Sequence, residues 1–421
     1  MTSTCPTRAK TDQESLPSAV VWWSNALVMR QFVCDLVAAE LAVLRRSGTM
    51  LPLRPWLSST HLHDDLGVDS LELLQLATVL AETLHLHESG IADYLLARQT
   101  IGDWAEIAQA GLSEFSASMT FRTSGSTGAA KSCTHCLADL WQETRELASL
   151  LSTQQRIFSA VPSHHIYGFI FTILLPQALA LADRQVIDIR DSSPAALRTF
   201  LQPYDLVIAH PAFWQAAATM LTSVAGNVVG VTSTAPCPDD VSAALRTAGL
   251  HRLLQIFGSS ETAGIGWRET ETAPYTLFKH WQRTPDNPAA LMRHSRAGST
   301  LHVPCPDKLT WCDARHFFAA GRLDAAVQVG GINVYPSAVR QVLLEHPHVQ
   351  DAAVRLMRSD EGNRLKAFIV ARDRQLDQTE LQQELVAWVQ KRLRPPERPK
   401  AFSFGAQCPT GQQGKASDWI I

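Results

Sequence analysis

Three short apolar runs, RIFSAVP (156–162), LVIAHP (206–211) and LLQIFG (253–258), end at proline or glycine and are separated by the helical patterns PAALRTFLQ and DDVSAALRTAG. Such runs read as buried strands, and their alternation with helices predicts an α/β arrangement for the middle of the chain. Ahead of them the pattern is helical. NALVMRQFVCDLVAAELAVLRRSG repeats apolar residues at helical spacing and closes on Arg45, Arg46 and Gly48. DSLELLQLATVLAETLHL places Leu73, Leu76, Leu80 and Leu84 on one stripe behind Asp69 as N-cap, and IADYLLARQTIGDWAEIAQ adds a third segment. These predict a helical unit at 28–112, preceded by a flexible lead-in at 1–27 that carries charge and proline without periodicity. After the α/β region (113–322), a hairpin, the helix PSAVRQVLLEH, the strands DAAVRLM and RLKAFIVA and the helix TELQQELVAWVQKRL predict a small α+β domain at 323–421. The fold class expected is α/β and α+β multidomain.

Composition narrows the partners. With 421 residues, 46% hydrophobic and 18% charged, the chain has ample material for globular cores, and its net charge of -3 offers no basic footprint for nucleic acid or a membrane surface. Eight cysteines are too sparse for a disulfide scaffold and fit a reducing compartment, although Cys133 and Cys136 have redox spacing. The first residues lack a secretory layout, and the most apolar stretch, IYGFIFTILLPQALALA (166–182), is short for a membrane span and broken by Pro176. A cytoplasmic protein with no membrane span is expected.

Four segments carry the candidate chemistry. TSGSTGAAK runs from Thr123 through Ser124, Gly125, Ser126, Thr127 and Gly128 to Lys131, behind the apparent strand SMTFR. Its hydroxyls, backbone N–H groups and terminal lysine suit a phosphate, although it is not a Walker loop and a flexible Ser/Gly turn has the same composition. IFGSSETAG sets Glu261 just after a buried strand and a glycine turn, where a carboxylate can hold Mg²⁺ against phosphate or merely favour a helix start. GRLDAAVQVGG contains Arg322, a partner for ribose hydroxyls, and Asp324, at a joint between domains; alone it reads equally as a hairpin with a surface ion pair. PTGQQGKASDW carries Lys415 in a glycine-bearing loop, a place where a lone lysine is ordinarily just solvated.

In this order and spacing the four segments resemble the adenylate-forming superfamily of acyl- and aryl-CoA ligases and peptide-synthetase adenylation domains, over about residues 119–421. The resemblance implies ATP and Mg²⁺ as cofactors. It assigns the Thr123–Lys131 loop to the β- and γ-phosphates, Glu261 to Mg²⁺, Phe257, Gly258 and Ser260 to the nucleotide, Asp313 and Arg322 to the ribose, and Lys415 to the adenylation step. His165, in VPSHHIYG, matches a gating position beside the acyl pocket, with Tyr167 in its wall, and Thr234 and Ala235 of STAPCP match a wall near the adenine. Asp324 matches the hinge of a small mobile C-terminal domain. Three departures stand out: the large domain is truncated before the phosphate loop, WCD replaces Thr-Gly-Asp at Asp313, and Ala416 and Asp418 replace apolar and basic residues after Lys415.

The unit at 28–112 resembles an acyl carrier protein. Its LGVDSLELL matches the motif whose serine, here Ser70, bears 4′-phosphopantetheine, and a phosphodiester at a helix N-terminus would meet free N–H groups. Gln75, Ala81 and Thr83 stand where carriers show acids, so a degenerate docking domain is the rival reading. A carrier joined to such an enzyme is similar to the ligases that prime aryl polyene or xanthomonadin-type pigment synthesis. That resemblance implies an aryl carboxylate substrate, such as a hydroxybenzoate, passed to a phosphopantetheinylated carrier protein, with a phosphopantetheinyl transferase as a further partner. The alternatives are an aryl- or acyl-CoA ligase using free CoA, and a non-catalytic carrier or docking scaffold.

Overall fold

In a computed structural model of the protein, residues 21–45, 51–124, 130–270, 272–285, 287, 289–295, 298–330, 332–373, 375–409 and 418–419 are described. Asn25 starts the first helix, α1 (Ala26–Leu44), by accepting the N–H groups of Leu27 and Val28. Arg45, at its end, forks onto Glu72 at 2.7 and 2.6 Å and bonds the carbonyls of Leu66 and Gly67. Glu72 belongs to α2 (Ser70–Leu84), where it completes a capping box with Asp69. The third helical segment is split into α3 (Tyr94–Ala97) and α4 (Ile101–Glu114). Arg98 is extended there, and the indole N–H of Trp104 donates to the carbonyls of Leu95 and Arg98, satisfying the interrupted turn.

The chain then forms an antiparallel hairpin of β1 (Ser118–Ser124) and β2 (Ala130–Cys136), followed by α5 (Leu137–Leu150). Cys133 and Cys136, three apart on a strand, face opposite sides of β2, a geometry closed to a redox pair. Next come β3 (Arg156–Ser159), β4 (Val186–Asp188), β5 (Asp205–Ala209), β6 (Val229–Thr232) and β7 (Arg252–Ser259), which pair in parallel in the order β4-β3-β5-β6-β7. Beyond β7 the sheet continues antiparallel through β8 (Ala263–Arg268) and β9 (Tyr275–Leu277). A separate three-stranded sheet, β10 (Trp281–Arg283), β11 (Ala290–His294) and β12 (Thr300–Pro304), precedes β13 (Asp307–Trp311) and β14 (His316–Arg322), which close the far edge of the main sheet.

Between β3 and β4 the apolar stretch forms α6 (Ile166–Gly168), a π-helical turn (Phe169–Leu174) and α7 (Leu175–Ala178); among the described residues no helix is long and apolar enough to cross a membrane. The crossovers α8 (Leu197–Phe200), α9 (Pro211–Met220) and α10 (Asp239–Thr247) cover one face of the sheet, where Trp214, Val241 and Leu245 meet Phe158, Val207 and Leu253. The opposite face packs α5 and the π-helical turn, and also the N-terminal helices. Fully buried Trp22 lies 5.1 Å from Phe169 and 5.7 Å from Phe32, ring centre to centre, so the lead-in expected through residue 27 is in fact pinned from Trp22 onward. Helices α1 to α4, set apart by sequence as a carrier-like unit ending at 112, share one hydrophobic core with the sheet.

The C-terminal region has a core of its own. The hairpin β15 (Val327–Val329) and β16 (Ile332–Val334) leads to α11 (Pro336–Leu344), β17 (Val349–Leu356), β18 (Leu365–Ala371), α12 (Gln378–Arg392) and β19 (Ala401–Phe404). Strand β19, which no sequence pattern announced, pairs in parallel with β18, and Leu343, Leu365, Ile369 and Leu385 pack beneath. Because Trp22 sits in the core common to helices and sheet, Trp22→Ala is expected to cost about 3–5 kcal/mol. Thermal unfolding followed by near- and far-UV circular dichroism should show one transition moving as a whole; a separate early loss of helix with the sheet's transition unmoved would contradict a common core.

Candidate active site

A cavity of about 560 Å³ opens where β6 and β7 end, the crevice in which open α/β sheets bind ligands. One wall is the helix starting at Ile166. Its Tyr167 hydroxyl donates to the carbonyls of Ala209 at 3.1 Å and Val231 at 3.2 Å, so the ring is a fixed wall, and burial holds its pKa well above the ordinary phenol value. Exposed His165 immediately precedes this helix, with its ring 4.0 Å from that of His164. The loop before it is held tightly. A Cβ on Gly168 would fall 1.8 Å from the carbonyl oxygen of Pro162, and Asp35 of α1 accepts from both the N–H and the hydroxyl of Ser163, at 2.8 and 2.7 Å.

A second wall consists of Thr234 and Ala235, after β6, with Phe257, Gly258 and Ser260 on β7 and its turn. Gly258 has no room for a side chain, since its Cβ would lie 2.1 Å from the carbonyl oxygen of Ala263. That close approach sets up the turn carrying Glu261, whose carboxylate meets Lys131 at 2.8 Å. Burial pushes Glu261 upward, but the bonds from Lys131 and the Ser259 side chain win and hold it below the usual carboxylate range. Lys131 is likewise raised, its desolvation outweighed by Glu261. Two residues far apart in sequence, expected at phosphate and Mg²⁺, are thus adjacent. Among the described residues there is no cluster of three or more metal-ligating side chains, and one ionised carboxylate suits Mg²⁺, which binds through one or two carboxylates plus substrate phosphates.

Of the two residues expected at the ribose, only Arg322 lines the cavity. Asp313 is exposed and lies in the β13–β14 turn, where its carboxylate accepts the N–H groups of Arg315 and His316, outside the cavity. The acid at the cavity is Asp307, opposite Arg322 in the β13–β14 register. Burial raises its pKa to about 6 against the opposing pull of Arg322. An acid and an arginine at the paired ends of a hairpin were the available signal, obscured because the tripeptide WCD stands in for Thr-Gly-Asp, although the segment from Asp313 to Arg322 is shorter than usual. Arg322 also forks onto Asp324 at 2.8 and 2.6 Å, and Tyr335 donates to the same carboxylate at 3.1 Å. The expected hinge residue is therefore latched to an expected nucleotide ligand, and Arg322 leads the forces that hold Asp324 at about 2.

Gly125, Ser126, Thr127, Gly128 and Lys415 lie outside the described residues, as do the side chains of Thr123 and Ser124, whose backbones pair with Lys131 and Ala130. Beyond Lys415, Asp418 pairs with fully buried Lys366 at 2.9 Å, which accounts for an acid at that position. Ser70 is exposed at the start of α2, but Asp69 already accepts the N–H groups of Leu71 and Glu72, donors the sequence argument had reserved for a phosphodiester.

Sequence reasoning also missed Glu143. It lies on the buried stripe of α5 with Leu140, Thr144 and Leu147, only 1% exposed, and lines the cavity. Both its oxygens accept the single N–H of Gly264, at 3.0 and 3.1 Å. Burial raises its pKa to about 8, opposed by Arg293 and assisted by Glu146. A carboxyl raised in the fold above its unfolded value binds a proton that the unfolded chain has lost, so its stabilising contribution is full below about pH 4.5 and is lost as pH rises towards about 8. Glu143→Gln, which cannot ionise, should flatten the decline in melting temperature between pH 5 and 8; an unchanged slope would refute a neutral Glu143.

The chain matches the model of the AMP-binding enzyme C-terminal domain over residues 338–415. It is 37% identical over 362 residues to a 4-coumarate–CoA ligase of Cereibacter sphaeroides, covering 85% of this chain and 84% of that protein. A 4-coumarate–CoA ligase of Rhodobacter capsulatus is 34% identical over 404 residues, covering 93% of this chain and 100% of that protein. Among solved structures, an amide bond synthetase from Marinactinospora thermotolerans shares the fold over 93% of both chains, with a TM-score of 0.56 and 16% identity. The protein belongs to the AMP-forming acid–CoA ligase family of adenylate-forming enzymes. It is an ATP-dependent ligase.

Proposed function

We propose that the protein is an aryl-CoA ligase that activates a 4-hydroxycinnamate-type acid such as 4-coumarate as its acyl-adenylate and transfers the acyl group to the thiol of CoA. The observation that carries this reading is similarity, over 84% and 100% of their lengths, to two ligases named for that acid and acceptor. An aromatic wall of Tyr167 and Phe171 in the same cavity as the Asp307–Arg322 pair supports it.

In the first half-reaction a carboxylate oxygen attacks the α-phosphorus of ATP, the bond to the bridging oxygen breaks, and pyrophosphate leaves. Attack of an anion on an anion needs fixed positive charge. Lys131 supplies it at the departing phosphates and Lys415 at the attacking carboxylate and α-phosphate. Glu261 would hold Mg²⁺, which neutralises phosphate charge when bound. Asp307 takes over from Asp313 the ribose role beside Arg322, and His165, one residue before the cavity-lining Ile166, takes the gating role. In the second half-reaction the thiol sulfur attacks the acyl carbonyl, its proton is lost and AMP leaves. Turning the small C-terminal domain about Asp324 requires breaking its bonds to Arg322 and Tyr335.

Incubation with 4-coumarate, Mg²⁺-ATP and CoA should yield AMP, pyrophosphate and the acyl-CoA. Ser70→Ala should leave turnover unchanged. Lys131→Met should lower kcat by about 10²-fold or more, as loss of a transition-state charge partner does. The sequence-based alternative, a hydroxybenzoate passed to a phosphopantetheine arm on Ser70 or on a separate carrier, is tested in parallel. Acylation of a carrier with no turnover of CoA would replace the CoA reading.

A further inference from the structure

Among the described residues, the carboxyl of Glu143 has more hydrogen-bonding capacity than its surroundings use. Gly264 offers one N–H to its two oxygens, and a Cβ on Gly264 would lie 2.3 Å from Oε1, so the backbone there leaves space for an acid. On the other side of the same peptide segment the Trp281 indole N–H donates to the carbonyl of Gly264 at 2.8 Å, fixing the strand. Of the lining from the helix and π-helical turn, Ile166, Ile170 and Phe171 are apolar, and the Tyr167 hydroxyl is already engaged with the carbonyls of Ala209 and Val231. Only two acids line the cavity among its described residues, and the other, Asp307, faces Arg322 on the hairpin. A buried carboxyl with spare donor and acceptor capacity is normally satisfied by a partner, and here the cavity is where a partner can come from.

We propose that Glu143 is a specificity-determining residue whose carboxyl hydrogen-bonds a hydroxyl on the aromatic ring of the substrate acid. The inference rests on the aryl-CoA ligase reading of the cavity and narrows its substrates to hydroxylated aryl acids. A neutral carboxyl and a phenol match, since each donates one hydrogen and accepts another. An acid without the hydroxyl leaves Glu143 buried beside an apolar ring, the circumstance in which polar sites discriminate most strongly.

The test compares kcat/KM for CoA-dependent AMP formation with 4-coumarate, cinnamate and 4-methylcinnamate, the last having similar ring bulk without hydrogen bonding. The wild-type enzyme should favour 4-coumarate over both others by about 10²-fold, and Glu143→Leu should shrink that preference to within about 3-fold with the KM for ATP unmoved. A wild-type enzyme that uses 4-methylcinnamate as well as 4-coumarate overturns the proposal without any variant. So does a folded Glu143→Leu enzyme that keeps the full preference. Should Glu143→Leu not fold, the wild-type comparison decides. Failure of the wild-type enzyme to form AMP with any of the three acids, while it turns over fatty acids, would instead overturn the aryl-acid reading itself.

Discussion

The arrangement of this enzyme depends on one buried carboxylate. Asp35, in the middle of α1 and 2% exposed, accepts two bonds from Ser163 and pairs with Arg190 at 2.7 Å and Arg54 at 3.4 Å. Ser163 belongs to the loop that delivers His165 and the cavity helix, and Arg190 follows β4 at the sheet edge, where it also pairs with Asp188. Drawing α1 away from the sheet would leave buried charges without partners, a cost of several kcal/mol when one member of such a set is lost. The aromatic contacts of Trp22, Phe32 and Phe169 act between the same two bodies. Together they make the N-terminal helices a support for the loop and helix that wall the cavity.

The charges of the site are paired among themselves. Lys131 holds Glu261, and Arg322 holds Asp324 while standing opposite Asp307. These pairs tie separate elements together: Lys131 joins the β1–β2 hairpin to the turn after β7, and Arg322 joins the end of β14 to Asp324. Glu143 differs. Among the described residues no charged group hydrogen-bonds it, and it lines the same cavity as Tyr167 and Phe171, so a neutral partner suits it.

The cavity lining was legible where it depends on a short contiguous pattern. Thr234 with Ala235, Phe257 with Gly258, and Arg322 could be named because a turn geometry or a glycine requirement is local. That Asp307 and not Asp313 stands opposite Arg322 was not legible, because a β-hairpin decides which acid faces the arginine through register, and register is a pairing property of two strands. Glu143 and Asp35 were missed for a related reason. Each is a charged residue on a largely apolar helical stripe, and periodicity reports that the stripe is buried without reporting what it is buried against.

By itself the sequence determined the order and type of most elements, the separation of the small C-terminal α+β region, and the family of chemistry, since these follow from periodicity, turn residues and ordered motifs. Only the tertiary structure decided that α1 to α4 belong to the sheet's core, that Asp307 stands opposite Arg322, and that an acid on α5 reaches the cavity. The physical reason is common to all three. Burial and strand register depend on partners distant in sequence, and a helical stripe or an acid near a turn has the same local pattern whichever partner it meets.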